Sequence, residues 1–393
     1  MPRASQMLQL VVVALLGLAL VMVHSAGMTI HRGSLDPLAF LKSRHTIYAT
    51  LAIAAMLIAS RFNVRKLVQV RSRFNPLPWF VLLTFGLLVA TAIPGVGVTV
   101  NGATRWLSLG PREWGLTFQP SELAKWVLVL AIPWWCARRQ AVMGWLRLGL
   151  LPPLMLIAAV CGLIVVEDLG TAVLVGLVAM CLLLAGGARF WHLVALVPLA
   201  SGAVVTVILN SPYRLARLTA FVDPWADPRG IGYHPIQSML AIAHGGITGR
   251  GLGNGVQKFG YLPEDTTDFL FAIICEELGL CGAALVVGLF VVVLFLGLSV
   301  LRDCPDLFGR LVALGILLTI GLQAMINLAV VTVVVPTKGI ALPLLSAGGT
   351  GWILTAAAVG LLASLDEANR LDPDHELAQS QAVEDASSRV AAA

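Results

Sequence analysis

Long apolar runs alternate with short polar segments along almost the whole chain. A helix needs about 20 apolar residues to cross the hydrocarbon core of a bilayer. Alternating strands of a membrane barrel do not produce unbroken apolar runs, so helices are the predicted elements. The runs predict ten transmembrane helices, at residues 7–24, 46–60, 77–94, 122–137, 147–166, 169–187, 190–209, 269–300, 309–334 and 343–365. We therefore predict an all-α polytopic membrane domain over residues 1–365.

Basic residues in the short loops predict the orientation of these helices, because cytoplasmic loops carry an excess of Lys and Arg. The 61–76 loop holds five basic residues and the 138–147 loop holds three. With both loops inside, ten spans place both termini in the cytoplasm, and the polar residues 366–393 form a disordered cytoplasmic tail. Residues 210–268 then form a large extracytoplasmic loop between helices 7 and 8. Basic residues also occur in the outer loops, which indicates an anionic ligand there.

The composition agrees with a membrane protein. The 393 residues are 58% hydrophobic and 12% charged, whereas soluble domains carry about 25% charged residues. The net charge of +5 comes without a dense basic cluster among aromatic residues, so no nucleic acid partner is predicted. The six cysteines and seven histidines show no metal-ligand spacing, so the sequence predicts no dedicated metal site.

Four outer segments place polar residues and chain-breaking Gly or Pro against predicted helices. They read NGATRW through FQPSELAK, PYRLARLTAFVD, GRGLGNGVQKFGYLPEDTTDF and PTKGIALPLLSAGGTG. Non-helical backbone at this depth is tolerated only where protein buries it or a cavity hydrates it. We therefore expect the four segments to converge on one outward-facing cavity.

Three acids stand at the start of the eighth apolar run. Asp268 directly precedes FLFAII, and partial burial there would disfavour its charged form, which suits a general base or acid. Glu264 and Asp265 lie one turn earlier and would share its side if the segment were helical. The alternative is that these acids are solvated residues that cap the helix start. Spacing alone favours this alternative.

Basic residues of the outer loops could clamp phosphates, since a departing pyrophosphate needs cationic partners. The candidates are Arg214, Arg217, Lys258 and Lys338. The alternative is that their charged ends reach toward the membrane interface. Lys338 fits this alternative less well, because it lies in a short segment between a proline and a glycine.

Several other polar residues have two possible roles each. Arg105 beside Trp106 could bind substrate or stack at the membrane interface. Asp168 follows Glu167 between two apolar runs, and capping of the next helix is the favoured interpretation. Glu276 and Glu277 lie inside a predicted span, where structural support and proton handling both remain open.

The segments together resemble the SEDS family, named for shape, elongation, division and sporulation. The matching motifs, in family order, are NGATRW, FQPSELAK, EDLGTAVLVG, PYRLARLTAFVDPWADPRGIGYHPIQS, GLGNGVQKFGYLPEDTTDFLFAIICEELG and PTKGIALPLLSAGGTG. They extend over the chain to about residue 365. PTKG and the QKFGYLPE run are closer to the FtsW branch of this family than to the RodA branch. The chain departs from the family at SAGGTG, where SYGGSS is usual.

The resemblance implies a ten-helix peptidoglycan glycosyltransferase of the bacterial cytoplasmic membrane, which serves cell division or cell shape. Its substrate would be lipid II, the undecaprenyl-pyrophosphate-linked disaccharide-pentapeptide. Its partners would be a class B penicillin-binding protein, which is a transpeptidase, and other divisome or elongasome proteins. The essential acid of the family falls on Asp268, which would take the proton from the acceptor sugar's hydroxyl. This implication overrides the capping alternative for Asp268.

The same resemblance places substrate-binding residues in the matched motifs, with roles that we infer from charge and position. They are Arg214, Arg217, Lys338, Arg105, Trp106, Lys258, Glu264, Gln237 and Ser346. A divalent cation, Mg²⁺ or Mn²⁺, is a candidate cofactor because it could neutralise the pyrophosphate. A lipid II transporter and a non-catalytic scaffold are the competing functions. A transporter would bind substrate near the midplane between repeats, and we find no internal repeat.

Overall fold

A computed structural model describes residues 3–27, 43–70, 74–93, 95–100, 103–108, 117–347 and 349–370. Its longer helices, in chain order, are α1 (Ala4–Ala26), α2 (Arg44–Ser60), α3 (Pro76–Thr91), α4 (Pro120–Arg138), α5 (Leu151–Glu167), α6 (Leu169–Ala185), α7 (Val197–Leu209), α8 (Pro212–Val222), α9 (Tyr233–Gly245), α10 (Leu270–Asp303), α11 (Leu307–Val331) and α12 (Thr350–Arg370). The strands are β1 (Gly97–Val100), β2 (Ala103–Ser108) and β3 (Thr117–Phe118). Short helical turns occur at Lys66–Gln69, Gln140–Val142, Leu146–Leu150, Phe190–Val194 and Pro224–Ala226.

The chain is a multi-pass membrane protein built mainly of helices. In the described part of the chain, six helical segments are long and apolar enough to cross a bilayer, and three shorter helices are also apolar. Helix α4 carries Glu122 and Lys125 near its start and lies between α3, α6 and α11. The total of ten spans stays a prediction.

Helix α11 lies at the centre of the bundle and contacts α4, α6 and α10. Helix α2 packs along α12, and α1 packs against both α10 and α12. The apolar faces of these helices form one continuous buried cluster. The segment from Phe190 to Leu209 is peripheral, since the rest of the protein buries very little of it. The same segment, predicted as one span, divides into a short helix and α7, which begins near Pro198.

The long eighth span is broken rather than continuous. Gly279 has φ 64° and ψ −159°, a conformation that side chains oppose. Residues 246–251 pair with this break, because Leu280 N donates to Gly246 O at 3.0 Å and Arg250 N donates to Glu276 O at 3.0 Å. The 210–268 loop therefore satisfies backbone groups that the break in α10 leaves without helical partners.

The last predicted span starts later and ends later than expected. Helix α12 begins at Thr350, not at residue 343, because residues 342–346 form a turn in which Leu342 N donates to Ser346 Oγ at 2.9 Å. It continues to Arg370, beyond the predicted tail boundary at 366. Asp366 accepts a hydrogen bond from Ser5 N at 3.0 Å and pairs with Arg370 at 3.5 Å. The rest of the predicted tail, 371–393, lies outside the described residues.

A small antiparallel sheet in the order β1-β2-β3 was not predicted. In its register Val98 faces Trp106 and Thr99 faces Thr104. The sequence does hold a signal for it, because Asn-Gly stands between the β-favouring residues VTV and ATRW. Glu167 joins the sheet to the end of α5 by accepting a hydrogen bond from Thr104 N at 2.9 Å.

The large 210–268 loop is folded. It contains α8, a short turn and α9, which packs against α10, and it ends in the successive turns that lead into α10. Ser238 on α9 donates to Val331 O at 2.7 Å, which joins the loop to the end of α11. Contacts with α10 and α11 therefore hold this long segment in place.

Candidate active site

A cavity of about 900 Å³ lies where the four polar segments meet. Arg105 comes from the first segment, Arg217 from the second, Asp268 from the third, and residues 339–341 from the fourth. The end of α1 and the beginnings of α2, α4, α6 and α12 complete its walls. The predicted convergence of the four segments is confirmed. Its outward orientation stays a prediction.

Asp268 lies at the junction between the loop and α10 and faces the cavity while remaining partly buried. Its backbone carbonyl accepts a hydrogen bond from Asn327 Nδ2 at 2.9 Å. The carboxylate lies against Gly339, where an added Cβ would be 3.0 Å from Asp268 Oδ2 and 3.7 Å from an Arg105 guanidinium nitrogen. Helix α10 begins without a side-chain cap, so the capping alternative for Asp268 is not supported.

The surroundings of Asp268 favour its protonated form. Burial, with the nearby charges of Glu264 and Asp168 adding to it, raises the pKa of Asp268 to about 7. The guanidinium groups of Arg105 and Arg217 act in the opposite direction. A carboxylate with this pKa exchanges protons near neutral pH, which suits general base catalysis.

The two neighbouring acids do not share a helical face with Asp268. The backbone at Glu264 has φ 59°, and its carbonyl accepts from Thr267 N at 3.1 Å and from Phe269 N at 3.2 Å. The segment is therefore a tight turn, so the helical condition under which the three acids would share one side is not met. Glu264 lines the cavity, whereas Asp265 is absent from its walls. Burial raises the pKa of Asp265 to about 6.

Three arginines line the cavity with Asp268, namely Arg44, Arg105 and Arg217, and the last two act on the Asp268 carboxylate. A terminal nitrogen of Arg105 lies 3.6 Å from Asp168 Oδ2, and Arg105 Nε has no hydrogen-bond partner in the described part of the chain. Arg217 donates to Thr337 O at 3.4 Å and stacks 4.4 Å from the ring centre of Tyr213. Both guanidinium groups therefore present cationic surface to the cavity.

Asp168 caps α6, as predicted. Its carboxylate accepts from Thr171 N at 3.0 Å and from Thr171 Oγ1 at 2.8 Å. Trp106 lines the cavity next to Arg105, so substrate contact and interfacial stacking are both compatible with its position.

Two of the predicted phosphate-binding residues point elsewhere. Arg214 donates to Val165 O at 2.9 Å and to Val166 O at 2.8 Å, so it binds carbonyls at the end of α5. Lys258 Nζ is fully buried 2.8 Å from Glu277 Oε1 and also donates to Ser25 Oγ at 3.2 Å. Neither residue lines the cavity.

The remaining predicted residues surround the cavity without lining it. Lys338 is half-buried next to Gly339, and burial lowers its pKa while the charge of Asp168 opposes this effect. Ser346 is buried, and its carbonyl accepts a hydrogen bond from Trp352 Nε1 at 2.6 Å. Gln237 lies half-buried on α9. Their predicted contacts with substrate stay predictions.

Comparison with known proteins decides the family. The family model FTSW_RODA_SPOVE, described as "Cell cycle protein", matches residues 6–371. This chain belongs to the FtsW/RodA/SpoVE family. Its similarity to a "Probable peptidoglycan glycosyltransferase FtsW" of Thioalkalivibrio sulfidiphilus is 42% identity over 362 residues, covering 90% of this chain and 87% of that protein. "Stage V sporulation protein E" of Bacillus subtilis is 35% identical over 368 residues, covering 93% and 97% of the two chains.

Solved structures of the same family share the fold. A chain from a peptidoglycan synthase complex, studied for its coordination of polymerization and crosslinking, is 29% identical with a TM-score of 0.71. That match covers 93% of this chain and 98% of the other. The rod shape determining protein RodA of Thermus thermophilus is 25% identical with a TM-score of 0.64, covering 93% and 97% of the two chains.

Several polar residues of this family member were not singled out from the sequence. Lys125 Nζ is buried on α4 and donates to Glu122 Oε2 at 2.9 Å and to Gln323 Oε1 at 2.7 Å. Gln323 and Asn327 lie four residues apart on α11 and bind carbonyls of residues 340 and 341. The available signal was polar residues at helical spacing inside apolar spans.

Glu276 and Glu277 support residues 253–257 of the 210–268 loop. Glu276 accepts from Val256 N at 2.9 Å and Gln257 N at 3.1 Å, and Glu277 accepts from Gly253 N at 3.0 Å. Of the two readings left open, these contacts favour structural support. Both carboxylates are fully buried, so their backbone donors and the Lys258 cation offset the cost of burial.

The residues around the cavity do not fit a protein-held metal ion. Within the described ranges, no three His, Cys, Asp or Glu side chains come together as ligands. The carboxylates of Asp168 and Asp268 instead face Arg105. The cavity therefore offers guanidinium groups, rather than a carboxylate cage, to an anionic ligand.

Proposed function

We propose that this protein is a peptidoglycan glycosyltransferase that polymerises lipid II into glycan strands. The observation that carries the proposal is the position of Asp268, a carboxylate with a pKa raised to about 7 in a cavity that also holds Arg105 and Arg217. A base and two cations in one cavity are the groups that glycosyl transfer from a pyrophosphate donor requires. The relatives' names point to the same reaction.

The reaction follows from these positions. Ionised Asp268 takes the proton of the acceptor sugar's hydroxyl group while that oxygen attacks the anomeric carbon of the donor. A glycosidic C–O bond forms, and the bond between the anomeric carbon and the pyrophosphate oxygen breaks. The leaving group departs as undecaprenyl pyrophosphate with the bonding electron pair. Asp268 then returns its proton to solvent through the open cavity.

The arginines would stabilise the charge that develops on the leaving group. Arg105 lines the cavity and makes only a long, 3.6 Å contact with Asp168, so the terminal nitrogens of its guanidinium group can still bind phosphate oxygens. Arg217 is held by the ring of Tyr213, which orients its planar group toward the cavity. Lys338 would add a further cation if its side chain turned toward the cavity from its place beside Gly339.

The proposed setting is the bacterial cytoplasmic membrane, with the cavity on its outer face and both termini in the cytoplasm. The basic 61–76 and 138–147 loops support this orientation. We propose a class B penicillin-binding protein as the partner, together with other divisome or elongasome proteins. The similarity to a chain of a peptidoglycan synthase complex supports this assignment.

The test is polymer formation from fluorescent lipid II by the purified protein in liposomes with its cognate transpeptidase. We expect glycan strands in a gel of the reaction products. Movement of lipid II across the vesicle membrane without polymer would replace the proposal with the transporter. Neither polymer nor movement, with the partner bound, would favour the scaffold.

A divalent cation also stays a proposal. Mg²⁺ or Mn²⁺ would be held by the lipid pyrophosphate and would supply charge neutralisation to the leaving group. Titrating the polymer assay with a chelator, followed by return of each cation, tests this role. Activity that is lost with the chelator and restored by the cation supports it, and activity unchanged by the chelator contradicts it.

A further inference from the structure

Two amide side chains on α11 face residues 339–341, which form part of the cavity wall. Gln323 Nε2 donates to Ala341 O at 2.9 Å. Asn327 Nδ2 donates to Ile340 O at 2.7 Å and to Asp268 O at 2.9 Å. Residues four apart lie on the same face of a helix, so the two amides act on one segment. Of the two, Asn327 also binds the backbone of the proposed base.

The environment of Asn327 requires an amide. The side chain is 1% exposed, and both of its partners are carbonyl oxygens, which only the NH₂ end can bind. Its Oδ1 has no hydrogen-bond partner among the residues that the structure describes. A buried acceptor without a partner is unfavourable. A leucine of similar size would remove that acceptor, but it would also leave the carbonyls of Ile340 and Asp268 without this donor.

Gln323 belongs to a different network. Its Oε1 accepts a hydrogen bond from Lys125 Nζ at 2.7 Å, and Lys125 is paired with Glu122 at 2.9 Å. Gln323 therefore joins the 339–341 segment to a buried ion pair on α4, whereas Asn327 joins the same segment to Asp268.

We infer that Asn327 is a positioning residue for glycosyl transfer, which holds the backbone of Asp268 against residues 339–341. This inference rests on the proposed function. With both carbonyls bound to one rigid amide on α11, the Asp268 carboxylate is kept beside Gly339 and Arg105. Asn327 itself does not line the cavity, so it acts through Asp268 and not on the substrate.

Loss of this amide has a distinctive consequence for the proton chemistry. The charged groups that face the Asp268 carboxylate are Glu264, Asp168, Arg105 and Arg217, and burial is the largest cause of its raised pKa. A released Asp268 would move toward cavity water and lose part of that burial. Its pKa would then fall toward the ordinary value, and the acidic limb of the pH–rate profile would move to lower pH.

The experiment compares polymer formation by the wild type, Asn327→Leu, Asn327→Asp and the control Thr319→Val, each in complex with the cognate transpeptidase. Thr319 is a buried residue of α11 two turns away, and its hydroxyl donates to Gly315 O of the same helix at 2.6 Å. Rates are measured against lipid II concentration and between pH 5.5 and 8.5, and folding is checked by elution profile and thermal midpoint.

A misplacement of reacting groups by about 1 Å can cost about 100-fold in rate. We therefore expect both Asn327 variants to lose about 10- to 100-fold in kcat with little change in KM for lipid II. The acidic limb of Asn327→Leu should lie at lower pH than that of the wild type, while Thr319→Val keeps the wild-type kcat and profile.

Wild-type kcat in either folded Asn327 variant would overturn the inference and leave the proposed function intact. An equal loss of kcat in Thr319→Val would show a general effect of α11 packing and would also overturn it. The same holds if neither Asn327 variant folds, since the role would then be structural. No polymer from the wild type would overturn the proposed function and this inference together.

Discussion

Replacing Asp268 with Asn should make the folded protein more stable while it removes the proposed base. Burial raises the pKa of Asp268 from the ordinary 3.8 to about 7. Between these values the unfolded chain carries the charge and the folded chain holds a proton, so the folded state loses stability as pH rises. The loss is complete above pH 7. An asparagine carries no charge and escapes this cost.

The magnitude follows from the same two values. Each pKa unit of difference between the folded and unfolded chain is worth about 1.4 kcal/mol of folding stability. The step from 3.8 to about 7 therefore lowers the stability of the wild type by about 4 kcal/mol at pH 8. Water in the cavity makes this value an upper bound. At pH 5 only the interval from 3.8 to 5 counts, which gives about 1.6 kcal/mol. Asp268→Asn should therefore be stabilised more at pH 8 than at pH 5.

The assay is thermal unfolding in detergent, followed by tryptophan fluorescence, for the wild type and Asp268→Asn at both pH values. Asp223→Asn is the matched control, because Asp223 is an exposed outer-loop residue whose cap to Trp225 N an asparagine can keep. The control should follow the wild type. A thermal midpoint of Asp268→Asn at or below that of the wild type at pH 8 would refute the reasoning, as would a midpoint difference independent of pH.

Three further outcomes follow from the site. The rate of polymer formation should rise with pH through about 7, because the base must be ionised, and at pH 6 the rate should be about tenfold below its plateau. A rate that does not change between pH 6 and pH 8 would contradict this role for Asp268. Lys258→Met should cost about 3–5 kcal/mol of stability, because it leaves the buried Glu277 carboxylate without its cation, and adding Glu277→Gln should restore much of the loss. Thermal unfolding of the single and double variants measures both effects. A Lys258→Met variant as stable as the wild type would show that the two charges are not coupled. Gly339→Ala should lower kcat about tenfold with little change in thermal midpoint, because its Cβ would lie 3.0 Å from Asp268 Oδ2. Gly288→Ala, whose Cβ would meet nothing within 4 Å, should match the wild type in both kcat and thermal midpoint. Equal kcat for the two glycine variants would argue against close contact between residue 339 and Asp268.

The membrane helices and the meeting of the polar segments could be predicted because both depend on local composition. Apolar runs must satisfy their own backbone groups as helices, and polar turns between them need a cavity or a protein environment. The local argument predicted partial burial of Asp268 next to FLFAII and made it a candidate base, but spacing alone favoured a capping role, and the resemblance to the SEDS family assigned Asp268 as the base. The raised pKa of Asp268 agrees with that expectation.

The direction of individual side chains could not be predicted, because it depends on partners distant in sequence. Lys258 was expected to bind phosphate, yet it pairs with Glu277 and also donates to Ser25, more than 200 residues away. Arg214 and Arg217 lie on one short helix, but Arg214 faces the end of α5 and only Arg217 faces the cavity. Charge and position in a motif therefore identify candidates and do not separate ligand-binding from structural cations.

Two backbone features were missed for different reasons. The break in α10 at Gly279 depends on residues 246–251 supplying partners for the exposed backbone, so it cannot be found from the apolar run alone. The small sheet was missed although Asn-Gly stands between two β-favouring runs, because the hydropathy of the whole chain favours helices. That sheet carries Arg105 and Trp106 to the cavity.

The most direct test of the account is polymer formation from fluorescent lipid II by the wild type, Asp268→Asn and Asp265→Asn in complex with the cognate transpeptidase. Asp265 is the matched control, because it lies three residues away with a raised pKa of about 6 but does not line the cavity. The account predicts polymer from the wild type and from Asp265→Asn, and none from Asp268→Asn. Polymer from Asp268→Asn at the wild-type rate would contradict the assignment of Asp268 as the base.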